Sequence, residues 1–411
     1  MRVVLVLRYL LARGLFFFTG LRIGYWRQAV ERAWSVESRE QYLESTLRTS
    51  NLRDAAGNLI STLQGLEKAP ILTKKDFIQS GSTPRQKARF HRHTAGSSGT
   101  PTDVWLNRNE LGRMLGVRDY CYRHCGIRVG DREGRIWGRP ERGLKSIIKQ
   151  FLLNRQVFHP SGRFLKEEVE RLIQWRPTYL YGYASLLLEC AQEVERSERS
   201  IPGLKCVIVT AETIIPSQKA FLGRAFNCSV HEEYGASEFD IIAFECGDGH
   251  RHLVNPWLII ESGPEAQALV TDVSRKTQSL IRYELGDVLQ MNSTECHSLG
   301  DHQVISVLEG RLSNQFAVTA QSEKFHAVEF GHIIERYQSD FGDVFQFTFI
   351  QDVPGRFRLE CSPIPEQGIE VVARYVEDMI LRKTGYSIQV ITNKEPNRSE
   401  KKKTYFVAGD T

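Results

Sequence analysis

The chain has 411 residues, 41% of them hydrophobic and 25% charged, which places it among globular proteins and excludes disordered and collagen-like classes. Its 54 basic and 49 acidic residues leave a net charge of +5 spread along the chain, and this gives no reason to expect nucleic acid as a partner. The length exceeds what one hydrophobic core usually serves, so a large domain with a smaller one, or two comparable domains, is expected.

The stretch MRVVLVLRYLLARGLFFFTGLRIGYW is apolar but interrupted by Arg2, Arg8, Arg13 and Arg22. A spanning helix needs about 20 nearly uncharged residues, so the helical spacing of its Leu and Phe residues predicts a helix docked on the core. A basic amphipathic helix lying on a membrane surface is the alternative reading. Eight cysteines run from Cys121 to Cys361 in no short-spaced framework, with no signal peptide before them. A reducing cytoplasm is therefore expected, with peripheral contact to the inner membrane if the first helix lies on lipid.

Residues 26 to 80 read as helical, with Pro70 breaking one helix and Thr73 capping the next. A helix is predicted from Asn107 to Arg123, then a strand within DREGRIWG, then two helices between 162 and 196 split by the strand and turn RPTYLYGYAS. LKCVIVTAE and CSVHEEYGASE each place a buried strand before a polar turn, leaving Glu212 and Glu238 just past strand ends. Strands alternating with helices imply an α/β architecture, in which ligands sit at such carboxyl ends. Strands dominate from about 253 to 308, among them LIIES, QALVTDV and SLIRYEL. The last hundred residues read as a compact α+β unit with strands FQFTFIQ, RFRLEC and SIQVIT and a helix from Ile369 to Lys383.

The segment HTAGSSGTP, beginning at His93, supplies what a phosphate cradle needs: glycines for close backbone approach, inward N–H groups and hydroxyl donors. It lacks the lysine of the P-loop, having Thr100 after its last glycine, and composition alone favours a plain surface loop. Downstream come YGASE from Tyr234, IRYELGD ending at Asp287, EGR ending at Arg311 and PNRSEKKKTYF with Lys401, Lys402 and Lys403. These motifs, in this order, resemble the adenylate-forming superfamily, in particular the branch of phenylacetate–coenzyme A ligases and their relatives in capsular polysaccharide gene clusters. The resemblance covers nearly the whole chain.

The resemblance implies an acyl-CoA synthetase-like α/β fold, with an ATP- and acyl-binding domain at 1–309 and a small mobile domain at 310–411. It implies an AMP-forming acid–thiol ligase that uses ATP and Mg²⁺ to activate a small carboxylic acid, then passes the acyl group to coenzyme A. A non-CoA acceptor such as a sugar amine, and a degenerate, non-catalytic protein of an envelope pathway, are its alternatives. Thr94, Gly96, Ser97, Ser98 and Gly99 would hold the phosphates, and Tyr234, Gly235 and Ser237 would line the adenine site. Asp287 would take the ribose hydroxyls, and Arg311 the ribose or phosphate. Glu238 would carry Mg²⁺, and Lys402 would bridge carboxylate and α-phosphate. Tyr181, Tyr183 and Glu212 would line the acyl pocket. Ala95, Thr100, Ala211, Ser313 and Lys401 depart from the family pattern.

Several relatives hold structural zinc between a segment with a Cys and a following His and a later Cys-x-Cys. Here Cys246, His252 and Cys296 match, Ser298 replaces the fourth ligand, and His250 or His297 is left to complete a tetrahedron.

Overall fold

The computed structural model describes residues 2–35, 39–54, 57–79, 88–93, 102–137, 143–160, 164–264, 266–311, 316–392 and 406–408. The chain packs into two compact units, one formed by 1–130 with 231–308, the other by 131–230 with 309–411.

In the first unit the apolar opening stretch becomes two helices, Arg2–Phe18 and Ile23–Trp34, because the chain turns at Gly20 (φ 67) and Arg22 (φ 52). The second docks as the apolar spacing predicts. Ile23, Val30 and Ala33 are buried, and the helix lies against Arg108–His124. Glycines permit that approach: a Cβ on Gly116 would fall 2.5 Å from Trp26 Cβ, and one on Gly112 would fall 2.3 Å from the Leu21 carbonyl. The first helix departs from the docked reading, since Val6, Leu7, Leu10, Leu11, Phe17 and Phe18 all face solvent.

Local signals fix the next helices. Thr73 Oγ1 accepts from Asp76 N at 3.1 Å, capping Lys74–Gln79 as expected. Asn107 and Glu110 form a reciprocal capping box at the head of Arg108–His124. The unit's sheet runs, in spatial order, Leu258–Ser262, Gln267–Asp272, Tyr283–Ser293, Gln303–Arg311, Arg251–Leu253, Asp240–Glu245 and Ser229–Ala236. Its core gathers Phe239, Ile242, Leu258, Val270, Leu280 and Tyr283.

The second unit contains the parallel strands Cys206–Thr210, Tyr179–Gly182, Glu133–Ile136 and Arg155–Phe158, adjacent in that order. Cys206–Thr210 and Tyr179–Gly182, buried throughout, read as near-continuous apolar runs, whereas Glu133–Ile136 and Arg155–Phe158 carry charged residues. Helices Leu165–Trp175, Ala184–Arg196 and Pro216–Phe226 supply Leu172, Leu187, Val194 and Leu222 to the same core. The unit also carries a four-stranded sheet of Gln389–Thr392, Arg356–Ser362, Gln346–Val353 and Phe406–Val407, packed with helices Val328–Phe341 and Ile369–Thr384. Its centre is aromatic, with Phe330 stacked on Phe349 at 4.1 Å and packed edge-on against Phe357 at 5.3 Å.

Candidate functional site

The YGASE segment closes a tight hairpin between Ser229–Ala236 and Asp240–Glu245, with Ala236 paired to Asp240. Only glycine fits at 235, because a Cβ there would lie 2.0 Å from the Asp240 carbonyl oxygen. Asp240 itself turns the chain at φ 62 and is held from the side by cations. Arg118 reaches it at 2.9 Å and Glu233 at 3.0 Å, and Arg92 adds a contact to Asp240 at 3.4 Å. Burial pushes the Asp240 carboxyl up, but Arg118 and Arg92 outweigh it and bring the net shift below the ordinary value. The hairpin is thus braced by an ionised cluster that also includes the Tyr122 hydroxyl, which donates to Glu233 at 3.1 Å.

Asp287 arrives from the strand Tyr283–Ser293. Its register against Gln267–Asp272 shifts between Gln267, paired with Val288, and Leu269, paired with Glu284, so the segment between Glu284 and Val288 bulges. Gly286 lies in that bulge at φ 76. The Tyr234 hydroxyl donates to Asp287 Oδ2 at 2.9 Å, which joins two separately quoted motifs in one place. Glu238 follows on the hairpin turn, only 8% exposed, and its Oε1 accepts from the Tyr283 hydroxyl at 3.1 Å. Arg275, fully buried and paired with Asp272 at 3.3 Å, donates to the Glu238 carbonyl oxygen. Ser237 is exposed on the same turn. Sequence reading did not reveal Tyr283, Arg275 or Arg118, whose roles depend on strand pairing and helix placement.

Tyr181, Tyr183 and Glu212 come together in the second unit. Trp137, not singled out from sequence, stacks on Tyr181 at 5.9 Å and lies 4.2 Å from Tyr183, with Arg135 over the Tyr181 ring at 4.8 Å. Glu212 Oε2 accepts from Ser185 N at 2.8 Å, so its carboxylate caps the start of Ala184–Arg196, where the helix dipole favours an anion. Ala211, beside it, sits in the left-handed region at φ 67. That is a backbone conformation which glycine adopts without strain and alanine does not.

Thr94, Gly96, Ser97, Ser98, Gly99 and Thr100 lie outside the described residues, as do Ser313, Lys401, Lys402 and Lys403. Arg311 ends the strand Gln303–Arg311.

The cysteine and histidine residues form a second cluster in the first unit. Cys246, His250, His252 and Cys296 each bring a ligand atom within 4.8 Å of the others. A tight turn closes this group, with Gly249 N donating to the Cys246 carbonyl and Cys246 N to the His250 carbonyl. The turn selects His250 over His297, whose ring packs instead against His302 at 4.3 Å. His252 donates from Nδ1 to the Asp301 carbonyl at 2.6 Å, leaving Nε2 buried with no hydrogen-bond partner. Burial lowers the His252 pKa and favours the neutral ring. Two thiols, two imidazoles and a fixed tautomer are the donor set of tetrahedral zinc.

No protein-family profile matches the chain. Protein CapK of Staphylococcus aureus is 22% identical over 275 residues, a match that covers 63% of this chain and 60% of CapK. Among solved structures, 2-hydroxyisobutyryl-CoA ligase in the postadenylation state superposes with a TM-score of 0.67, covering 94% of this chain and 88% of that one at 15% identity. The anthranilate CoA ligase AuaEII in complex with anthranoyl-AMP gives 0.54 at 12% identity, covering 78% of this chain and 65% of its own. The chain has the adenylate-forming ligase fold. In sequence it resembles CapK, about three-fifths of which it matches.

Proposed function

We propose that the protein is an AMP-forming ligase that activates a small carboxylic acid with ATP and transfers the acyl group to coenzyme A. The observation that carries this reading is the meeting of Tyr234 and Asp287 at 2.9 Å beside the turn that bears Glu238. In this reading Tyr234 offers its ring to adenine and Asp287 accepts from the ribose hydroxyls. Thr94 and Gly96 to Gly99 hold the phosphates, with Arg311 toward the ribose.

Glu238 fits Mg²⁺, because one carboxylate oxygen is occupied by Tyr283 and hard cations take oxygen donors. When bound, the ion neutralises phosphate charge. Tyr283 orients the Glu238 carboxylate by donating to one of its oxygens. The substrate carboxylate oxygen attacks the α-phosphorus, forming the acyl phosphate bond as the α–β bridge breaks and pyrophosphate leaves. Lys402 offsets repulsion between the two anions during that attack. A thiolate then attacks the acyl carbon, and AMP departs with the bridging oxygen. Tyr181, Tyr183 and Trp137 give an aromatic wall suited to an aryl acid. The phenylacetate-type substrate, a role in capsular polysaccharide synthesis and the division at 309/310 belong to the same reading. Cys246, His250, His252 and Cys296 hold a structural Zn²⁺.

The test is ATP–pyrophosphate exchange with a panel of aryl and alkyl acids, followed by thioester formation. Glu238→Ala and Lys402→Ala should each lower exchange at least about a hundredfold, the scale of losing a preorganised charge in a reacting site. Exchange without thioester would redirect the acyl group to another acceptor. No exchange with any acid and no ATP binding would overturn the enzymatic reading.

A further inference from the structure

The first helix carries an apolar face that the rest of the first unit does not cover. Val6, Leu10 and Phe17 form one ridge at helical spacing, and Leu7, Leu11 and Phe18 form the adjacent one. Phe17 and Phe18, at the helix end, are 81% and 86% exposed and pack edge to face at 5.5 Å. An aromatic pair this exposed is poorly explained as surface decoration in a chain that buries Phe330, Phe345, Phe347, Phe349 and Phe357 completely.

The charge of the opening segment is of one sign. Arg2, Arg8, Arg13 and Arg22 all precede Glu31, the first acidic residue of the chain, whereas Arg27 is paired with Glu31 and, at 3.3 Å, with Asp119. Just past the turn, Tyr25 is exposed with the Arg22 guanidinium 4.5 Å from its ring centre, pairing an amphipathic ring with a cation. Apolar ridges, flanking arginines and aromatic groups at the rim are the features of a helix lying in the headgroup layer of a membrane. The 17-residue helix is about 26 Å long, and among the described residues no helix is long and apolar enough to cross a bilayer. The following helix is locked onto Arg108–His124 through Gly112 and Gly116, so a membrane-bound first helix would have a firmly attached neighbour.

We propose that the Arg2–Phe18 helix docks this protein, in plane, on an anionic lipid surface, with Val6, Leu7, Leu10, Leu11, Phe17 and Phe18 entering the acyl boundary. Lipid is favoured over a protein partner by charge complementarity: the segment that carries this face has four arginines and no acidic residue through Trp26, which suits an occupant apolar within and negative at its rim. The inference is independent of the enzymatic reading, and none of these residues belongs to the candidate site.

The experiment is cosedimentation of the full chain with phosphatidylcholine vesicles containing phosphatidylglycerol, against phosphatidylcholine alone. Binding should be at least about tenfold tighter on the anionic vesicles, since each arginine near such a surface contributes about fivefold, and it should weaken as salt rises. Phe17→Glu with Phe18→Glu should lower partitioning at least about tenfold, while circular dichroism and melting temperature match the parent. Arg22→Ala should weaken binding only to the anionic vesicles, a readout that survives if the double variant misfolds. Equal binding to both vesicle types, no binding to either, or binding unchanged in the folded Phe17→Glu, Phe18→Glu protein would overturn the proposal. A concentration-dependent dimer abolished by those substitutions, with no vesicle binding by the parent, would assign the face to a second copy of the chain and overturn it too.

Discussion

Glu133 begins the strand Glu133–Ile136 with its carboxylate enclosed by Arg135 at 2.6 Å, Arg155 at 2.9 Å and the Tyr179 hydroxyl at 3.0 Å. Burial alone would raise this carboxyl, but the two guanidiniums outweigh it and hold the group at about 2 against an ordinary 4.5. A carboxyl lowered on folding stabilises the native state fully above its unfolded value and loses that contribution as pH falls toward the folded one. The contribution should therefore be complete above pH 4.5 and fade toward pH 2, at up to about 1.4 kcal/mol per pH unit. Glu133→Gln should cost about 3–5 kcal/mol near neutral pH, because it leaves two largely buried cations without their counter-charge. The gap between variant and parent, read from urea midpoints, should narrow as the solution is acidified below pH 4.5. A gap independent of pH would show that the carboxylate is not ionised in the native state. Glu133 was not visible as a special residue in the sequence, since its partners come from three strands. Tyr234, Glu238 and Asp287 were visible because each sits in a short motif with its own backbone requirement.

At the scale of elements, strands and helices whose pattern is carried by one face were read correctly from the chain. Thr73 as a cap, the helix after Asn107 and the strand–helix alternation from Glu133 to Glu238 all follow local rules. The helix Val328–Phe341 was not anticipated, although Phe330, Ile333, Ile334 and Tyr337 have helical spacing and Gly342 ends it at φ 71. His332 and Gln338 dilute its apolar signal, and it sits among strands. The first helix alone departs from the docked reading, for a different reason: apolar spacing does not say whether a stripe is covered, and only packing decides. The cysteine–histidine cluster shows the same limit, since spacing leaves His250 and His297 equivalent until the turn at Gly249 selects one. If zinc ties the Cys246–His252 turn to the loop holding Cys296, its removal should loosen both elements. Metal analysis of the purified chain should find about one zinc per molecule. A strong chelator, or Cys296→Ser, should remove it and lower the melting temperature. Absence of zinc from protein prepared with the metal supplied, or no change on chelation, would show that these thiols and imidazoles are a metal-free cluster.

At the scale of the whole molecule, neither compact unit is a continuous segment, and the second combines residues 131–230 with 309–411. The join within it is specific. Ile215 enters the aromatic core built from Ala317 to Phe406. Ser217 Oγ donates to Glu335 at 2.9 Å, and Gln192 donates to the Val344 carbonyl at 2.6 Å. Gln218, fully buried, donates to the Phe345 carbonyl at 2.7 Å. Under the proposed reaction, with 310–411 as a part that changes position between adenylation and thioester formation, these contacts belong to one position and must open for the other. The polar contacts suit such a surface, because water can satisfy them when it opens, and withdrawal of Ile215 from the aromatic core is the apolar cost of opening. Gln218→Ala removes the donor to the Phe345 carbonyl, a loss of about 1–3 kcal/mol confined to the docked arrangement. The variant should therefore shift the balance of positions, changing the ratio of thioester formation to ATP–pyrophosphate exchange by about fivefold or more. A variant that loses both activities in equal proportion, with a lowered melting temperature, would mean that the join is static and Gln218 only holds the fold together. A changed ratio at constant substrate affinity is the outcome expected when the two half-reactions draw on different arrangements of this join.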